Sequence, residues 1–163
     1  MAIIIILLLV KYFALPSGKL FPAIEFEEGA YEGGICLGLS IPHGHGIIRW
    51  EEESKMFAGT FLFGMYHGYG VFTQYKFFFQ GEHHLGLREG FGVTNIMIDD
   101  AEESYEGIWR ADLHHGNGTK KFKDNDVYEG TFVEHLEHGE GEWSFDTALG
   151  RHTARGQFEH GVF

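Results

Sequence analysis

Tyr105-Glu-Gly-Ile-Trp-Arg-Ala-Asp-Leu-His-His-Gly-Asn-Gly118 decides the fold, because Tyr128-Glu-Gly-Thr-Phe-Val-Glu-His-Leu-Glu-His-Gly-Glu-Gly141 repeats its plan. Each unit is a ring, a glycine and a second ring at positions i, i+2 and i+4, then a Gly-x-Gly pair eleven residues after the first ring. Working outward, the same ring-x-Gly opening stands at Tyr31, Phe57 and Phe79, so successive units start 26, 22, 26 and 23 residues apart. The pairs that follow are Gly44-x-Gly46, Gly68-x-Gly70 and Gly90-x-Gly92, and only the first unit has a longer offset, of 13. A sixth, broken copy starts near residue 154 and runs through Gly156-Gln-Phe158. Self-similarity at a fixed short period is the mark of a repeat architecture.

Residues i, i+2 and i+4 share one face of a strand. Tyr105, Gly107 and Trp109 therefore line up, while Glu106 points the other way, to solvent. The Gly-x-Gly pair opens a second strand that continues apolar, as in Gly70-Val-Phe72. About six residues separate the two strands, with Gly64, Gly86, Asp112 or His135 in the turn. Each unit thus reads as one β-hairpin, and acidic or polar runs such as 99–104 and 123–126 join one hairpin to the next. A single hairpin is marginal in water, so neighbours must stack side by side. The expected fold is all-β: an elongated single-layer antiparallel meander of five to six hairpins over residues 31–163. Residues 1–30 are expected to form a separate docking, capping or anchoring segment.

Composition supports this reading. The 163 residues include 24 glycines, roughly double the average share of about 7%, but only 3 prolines. Aromatics reach 16%, with 16 Phe. Glycine beside so many rings suggests strands in which rings lie over bare backbone. With 12 basic and 24 acidic residues the net charge is −12, which argues against nucleic-acid binding through phosphate neutralisation. One cysteine, Cys36, excludes an internal disulfide framework and a cysteine-rich zinc module.

The pattern resembles the MORN (membrane occupation and recognition nexus) repeat, whose consensus is Tyr-x-Gly-x-aromatic, a short turn and then often His-Gly-x-Gly. Tyr105, Gly107, Trp109, His115, Gly116 and Gly118 match it, as do Tyr128, Gly130, Phe132, His138, Gly139 and Gly141. The Phe57 unit keeps Gly59, Phe61, His67, Gly68 and Gly70. The Phe79 unit departs, with His83 for the second ring and Glu89 for the histidine; the Tyr31 unit has Ile35 for that ring. The resemblance implies an extended β-sheet used as a scaffold or protein-binding surface, with lipid binding also proposed for the family. No segment outside the repeats is long enough for the catalytic domains to which such repeats are appended.

The candidate partner-binding residues are the ring stripe Tyr31, Phe57, Phe61, Phe79, Tyr105, Trp109, Tyr128 and Phe132. They form either a groove for an apolar or extended segment or simply the molecule's own core. Acidic residues flanking the stripe favour a basic partner segment. Gly68, Gly70, Gly90, Gly92, Gly116, Gly118, Gly139 and Gly141 are expected to serve as structural turn glycines. Eleven histidines, among them His43, His67, His115 and His138 before the Gly pairs, admit a zinc reading. Their recurrence favours a turn role with hydrogen bonds to backbone, so no metal and no cofactor are expected. Cys36 lacks an orienting triad, and the Gly-x-Gly pairs lack the strand–loop–helix context of a phosphate loop. No enzymatic activity is expected.

Residues 2–10 are wholly apolar, too short to span a bilayer as a helix. Three readings stand for them: a cap on the first hairpin, a dock into a partner, or insertion in a membrane. The expected function is a non-enzymatic scaffold or accessory subunit of a large assembly in the cytoplasm, cytoskeleton or cilium. Its alternative is a membrane-attached accessory subunit or tether of an organellar membrane complex, held by residues 1–15.

Overall fold

A computed structural model describes residues 24–26, 29–50, 53–98 and 100–162. They form one open antiparallel sheet of twelve strands whose spatial order is their chain order. The strands are β1 (Ile24–Phe26), β2 (Gly29–Cys36), β3 (Ile41–Trp50), β4 (Lys55–Leu62), β5 (Met65–Gln74) and β6 (Phe77–His84). They continue with β7 (Leu87–Ile98), β8 (Ala101–Arg110), β9 (Leu113–Lys121), β10 (Val127–Val133), β11 (Leu136–Thr147) and β12 (Gly150–Phe158). The hairpin meander is as the repeat implied, although the described sheet begins ahead of residue 31. The apolar run at residues 2–10 lies outside the described residues.

The strands run further than the sequence suggests. Leu62 pairs with Met65, His84 with Leu87, Arg110 with Leu113 and Val133 with Leu136. Each turn therefore has only two central residues, both at positive φ: Phe63-Gly64, Leu85-Gly86, Ala111-Asp112 and Glu134-His135. This is the type I′ turn, whose twist matches that of the flanking strands. The Gly-x-Gly pair does not lie in the turn. It lies inside the second strand, where the register slips just past the Gly107–Gly118 pair. Gly116 supplies the positive φ, +60°, that the resulting bulge needs. Gly118 does something different: a Cβ there would come within 2.7 Å of the Tyr105 ring. The second glycine is bare because a ring lies flat on it, and that ring comes from its own hairpin rather than a neighbouring one.

A single layer has no second sheet to pack on, so the core is built from these flat rings on one face. They form two buried clusters. One holds Tyr31, Ile48, Trp50, Phe57 and Phe61. The other holds Phe79, Tyr105, Trp109, Tyr128, Phe132 and Phe158, and Phe72 packs against both.

Candidate interaction surface

All eight rings of the stripe are at most 2% exposed. They form two edge-to-face runs, in which the first ring of a unit meets the second ring of its own unit or of the next. Phe79 contacts Trp109 (centroids 5.5 Å apart), Trp109 contacts Tyr105 (5.2 Å), Tyr105 contacts Phe132 (5.1 Å) and Phe132 contacts Tyr128 (5.1 Å). This run goes on to Phe158 at 4.9 Å, and the other joins Phe57 through Phe61 to Tyr31. These perpendicular arrangements suit the ring quadrupoles. As the structure stands, the stripe is core.

His83 completes the zigzag. It stands edge-on to both Phe57 (5.2 Å) and Phe79 (5.0 Å), where other units carry Phe or Trp. The departure from the repeat consensus at this position is thus a ring-for-ring exchange. Burial lowers the His83 pKa, which keeps the imidazole neutral.

The tyrosines add a polar handle. Tyr31, Tyr105 and Tyr128 each donate the phenol to a carbonyl three residues on, at 2.7, 2.8 and 3.2 Å. Those carbonyls lie at the bulge, where the regular ladder is broken. Burial pushes the Tyr31 and Tyr105 phenols up to about 12.

A second layer of contacts comes from the residue nine positions after the first ring, on the same face. Tyr66 stacks on Phe57 at 3.8 Å and His114 stacks on Tyr105 at 3.6 Å, 8° from parallel. In the unit between, Arg88 lies 4.0 Å over the Trp109 ring and is held by Asp112 through a 2.8 Å hydrogen bond. Sequence reasoning missed this position, because its residue type changes from unit to unit and only its offset is constant.

His114 is half-buried under this packing, and the loss of solvent above all pushes its pKa from 6.5 down to about 3, with the charges of His135, Lys120 and Arg88 adding to the effect. Burial likewise lowers His135, whose Nδ1 accepts the His114 N–H at 3.3 Å. The folded state then binds fewer protons than the unfolded chain between about pH 3 and 6.5, so stability is full above 6.5 and falls as pH drops through that window. The melting temperature is expected to decline from pH 6.5 to 4. His114→Tyr, which copies Tyr66 at the equivalent position, should flatten that decline. An unchanged slope in the variant would remove His114 as the acid-sensitive group.

The histidines before the Gly pairs act differently from the expectation. The Nδ1 atoms of His43, His67 and His138 are buried without a hydrogen-bond partner. Their rings pack instead against the next hairpin: His43 on Phe63 (5.2 Å), His67 on His84 (5.1 Å) and His138 on His160 (5.6 Å). Among the described residues no group of three or more His, Cys, Asp or Glu is placed to hold a metal ion.

Beside the zigzag, toward the links between hairpins, the ring face presents a half-buried row: Phe72, Phe77, Ile96, Phe122 and Trp143. Cations lie over rings of this face, one of them in the row. Lys55 is 4.3 Å from the Trp50 centroid and Lys120 is 4.3 Å from that of Phe122. A hollow of about 190 Å³ opens between Phe77, Arg88, Ile96, Lys120 and His135. Glu103 borders it and Glu137 is buried further along. The carboxylates expected to flank the stripe belong to the opposite face. Across that face Glu106 pairs with Thr119, Thr119 with Glu129, Glu129 with Glu142 and Glu142 with Arg155. The ring face itself therefore has cations above its rings, the reverse of what a basic partner segment needs.

This ring-zipped meander defines a class of β-hairpin repeat protein, and the comparisons agree on the repeat. The MORN-repeat profile matches residues 57–75, 105–127 and 128–147. The chain is a MORN-repeat protein, built from a module met in protein-binding and membrane-binding roles. It is 27% identical to Alsin of Homo sapiens over 117 residues, 72% of this chain and 6% of that protein. It is 30% identical to the ALS2 C-terminal-like protein of Homo sapiens over 114 residues, 70% of this chain and 10% of that protein. The matched stretch thus spans a tenth or less of these relatives' length. Among the described residues no helix is long and apolar enough to cross a membrane.

Proposed function

We propose that the chain is a non-enzymatic scaffold that holds a segment of a partner protein along its ring face, within a cytoskeletal or ciliary assembly. The half-buried row Phe72, Phe77, Ile96, Phe122 and Trp143 carries the reading. It is the apolar surface left over once the zigzag has closed, on a sheet with no second layer. Lys120 at its centre makes no salt bridge among the described residues. The segment that suits this surface is apolar with an acidic side chain to meet Lys120. The shape supports a scaffold: one open sheet offers a long edge-to-edge surface rather than an enclosed chamber.

Crosslinking with mass spectrometry in native cells tests the reading, comparing the wild type with Lys120→Glu. The expected result is a set of cytoskeletal or ciliary neighbours crosslinked to the ring face, depleted several-fold in the variant at unchanged melting temperature. Crosslinks that are indifferent to Lys120→Glu would move the docking surface elsewhere. Neighbours that are integral membrane proteins, lost on deletion of residues 1–15, would favour the membrane-tether alternative.

A further inference from the structure

Two departures of the third unit from its neighbours meet at one place on the ring face. The stacking position holds Arg88, where the units on either side hold Tyr66 and His114. Fifteen residues after its first ring the third unit carries Thr94, where the second, fourth and fifth carry Phe72, Lys120 and Trp143. Thr94 pairs across the strands with Phe79 and Tyr105, which puts it on the ring face. A large side chain there would fill the space between the third and fourth hairpins. Threonine leaves it open, as the hollow of about 190 Å³ that Phe77, Arg88, Ile96, Lys120 and His135 surround.

The hollow is smaller than the roughly 300–1,000 Å³ of ordinary ligand pockets, so it has room for one side chain rather than a cofactor. Its polar groups are mostly donors. Thr94 lines it and is only 8% exposed, and its hydroxyl makes no hydrogen bond among the described residues. Lys120 has no salt-bridge partner among them. Arg88 gives Nε to the Asp112 carboxylate and Nη2 to the Asp112 carbonyl, at 2.8 and 3.1 Å, which leaves Nη1. His135 Nδ1 accepts the His114 N–H, so its own donor is Nε2–H. Buried donors without acceptors are costly, and a bound acceptor removes that cost.

We propose that the hollow takes the side chain of a glutamate from the partner segment, its carboxylate on Thr94 and Lys120 and its methylenes against Phe77 and Ile96. This rests on the ring-face docking proposed above and names its anchor. Hydrogen bonds to a charged acceptor are the strong ones, which favours a carboxylate over the amide of glutamine. The amide would also bring two more donors to a place already rich in them. A phosphorylated side chain carries up to two negative charges. Arg88 is already engaged by Asp112, and Glu103 stands on the rim, so a second charge is repelled rather than met. The apolar walls suit the two methylenes of glutamate better than the single one of aspartate.

The test uses the full chain, isotope-labelled, and N-acetyl-glutamate N-methylamide, with binding read by NMR. A ligand this small is expected to saturate in the millimolar range, shifting the Thr94 and Lys120 amides and the Trp109 indole N–H. The glutamine and phosphoserine counterparts should bind at least tenfold more weakly. Lys120→Gln and Thr94→Val should each lower the affinity at least threefold at unchanged melting temperature. Thr94→Phe copies Phe72, so it should close the hollow and abolish the shifts while the sheet stays folded. The proposal is overturned by an absence of saturable shifts, by equal binding of the glutamine compound, or by shifts that persist in Lys120→Gln and Thr94→Phe. Tighter binding of the phosphoserine compound also overturns it and assigns the hollow to phosphate groups. Ring-face crosslinks that fall with Lys120→Glu while the glutamate compound does not bind would leave the docking surface standing without this anchor. Saturable binding beside crosslinks indifferent to Lys120→Glu would overturn the ring-face reading and, with it, the partner segment as the source of the carboxylate.

Discussion

Tyr105→Ala is expected to lower unfolding stability by about 3–5 kcal/mol, in the range for removing a fully buried aromatic ring. The ring is 1% exposed and touches Trp109, Phe132 and His114 at once. Its loss breaks the zigzag between the third and fifth hairpins and leaves His114 stacked on nothing. A single-layer sheet has no second sheet to close the cavity. Domains of this kind hold roughly 5–15 kcal/mol in all, so the variant should unfold at a much lower urea concentration. Tyr105→Phe is the informative partner. It keeps the packing and removes only the hydrogen bond to the Ile108 carbonyl, for about 1 kcal/mol. Phe57 and Phe79 already fill the equivalent place in two other units. If the two variants lose equal stability, the hydrogen bond and not the packing holds the sheet.

Gly118→Ala should be the second severe change, costing about 3 kcal/mol, the upper end of the usual overpacking range. The added Cβ would lie 2.7 Å from Tyr105 Cε2 and Oη. That ring cannot retreat, because His114 stacks on its other side at 3.6 Å. Gly116→Ala, two residues away, should cost only about 1 kcal/mol, the penalty of a left-handed backbone for an L-residue. Its Cβ would meet nothing closer than Ile108 Cβ at 3.4 Å. Denaturation of the pair measures the difference directly. An equal loss would mean that the second glycine of the pair is not there to admit a ring.

The two glycines show how far the sequence could be read. Their recurrence located every hairpin, because a ring, a bare position and a second ring at alternate residues can only share one face of a strand. Their separate tasks were not legible, since Gly-x-Gly looks the same whether it serves a turn or a bulge beneath a ring. His83 makes a similar point. In sequence it weakens a repeat; in space it stands edge-on between Phe57 and Phe79 and keeps the zigzag whole. The eight rings named from the sequence stand in line and are buried, but the sequence left open whether they were groove or core. Exposure depends on which neighbour covers which ring, and that is settled between hairpins rather than within one.

The sequence by itself determined the period, the all-β class, the antiparallel meander and the face on which the rings lie. These follow from spacing along one chain, and strand geometry permits few alternatives. Only the tertiary structure decided that the stripe is closed core and that Arg88, His114 and Tyr66 occupy one equivalent stacking position. The closing of the stripe is a relation between hairpins more than twenty residues apart, whereas the stacking position lies within each hairpin, nine residues after its first ring. Residue type does not record it, because side chains of quite different chemistry can fill the same place over a ring or at the tip of a turn.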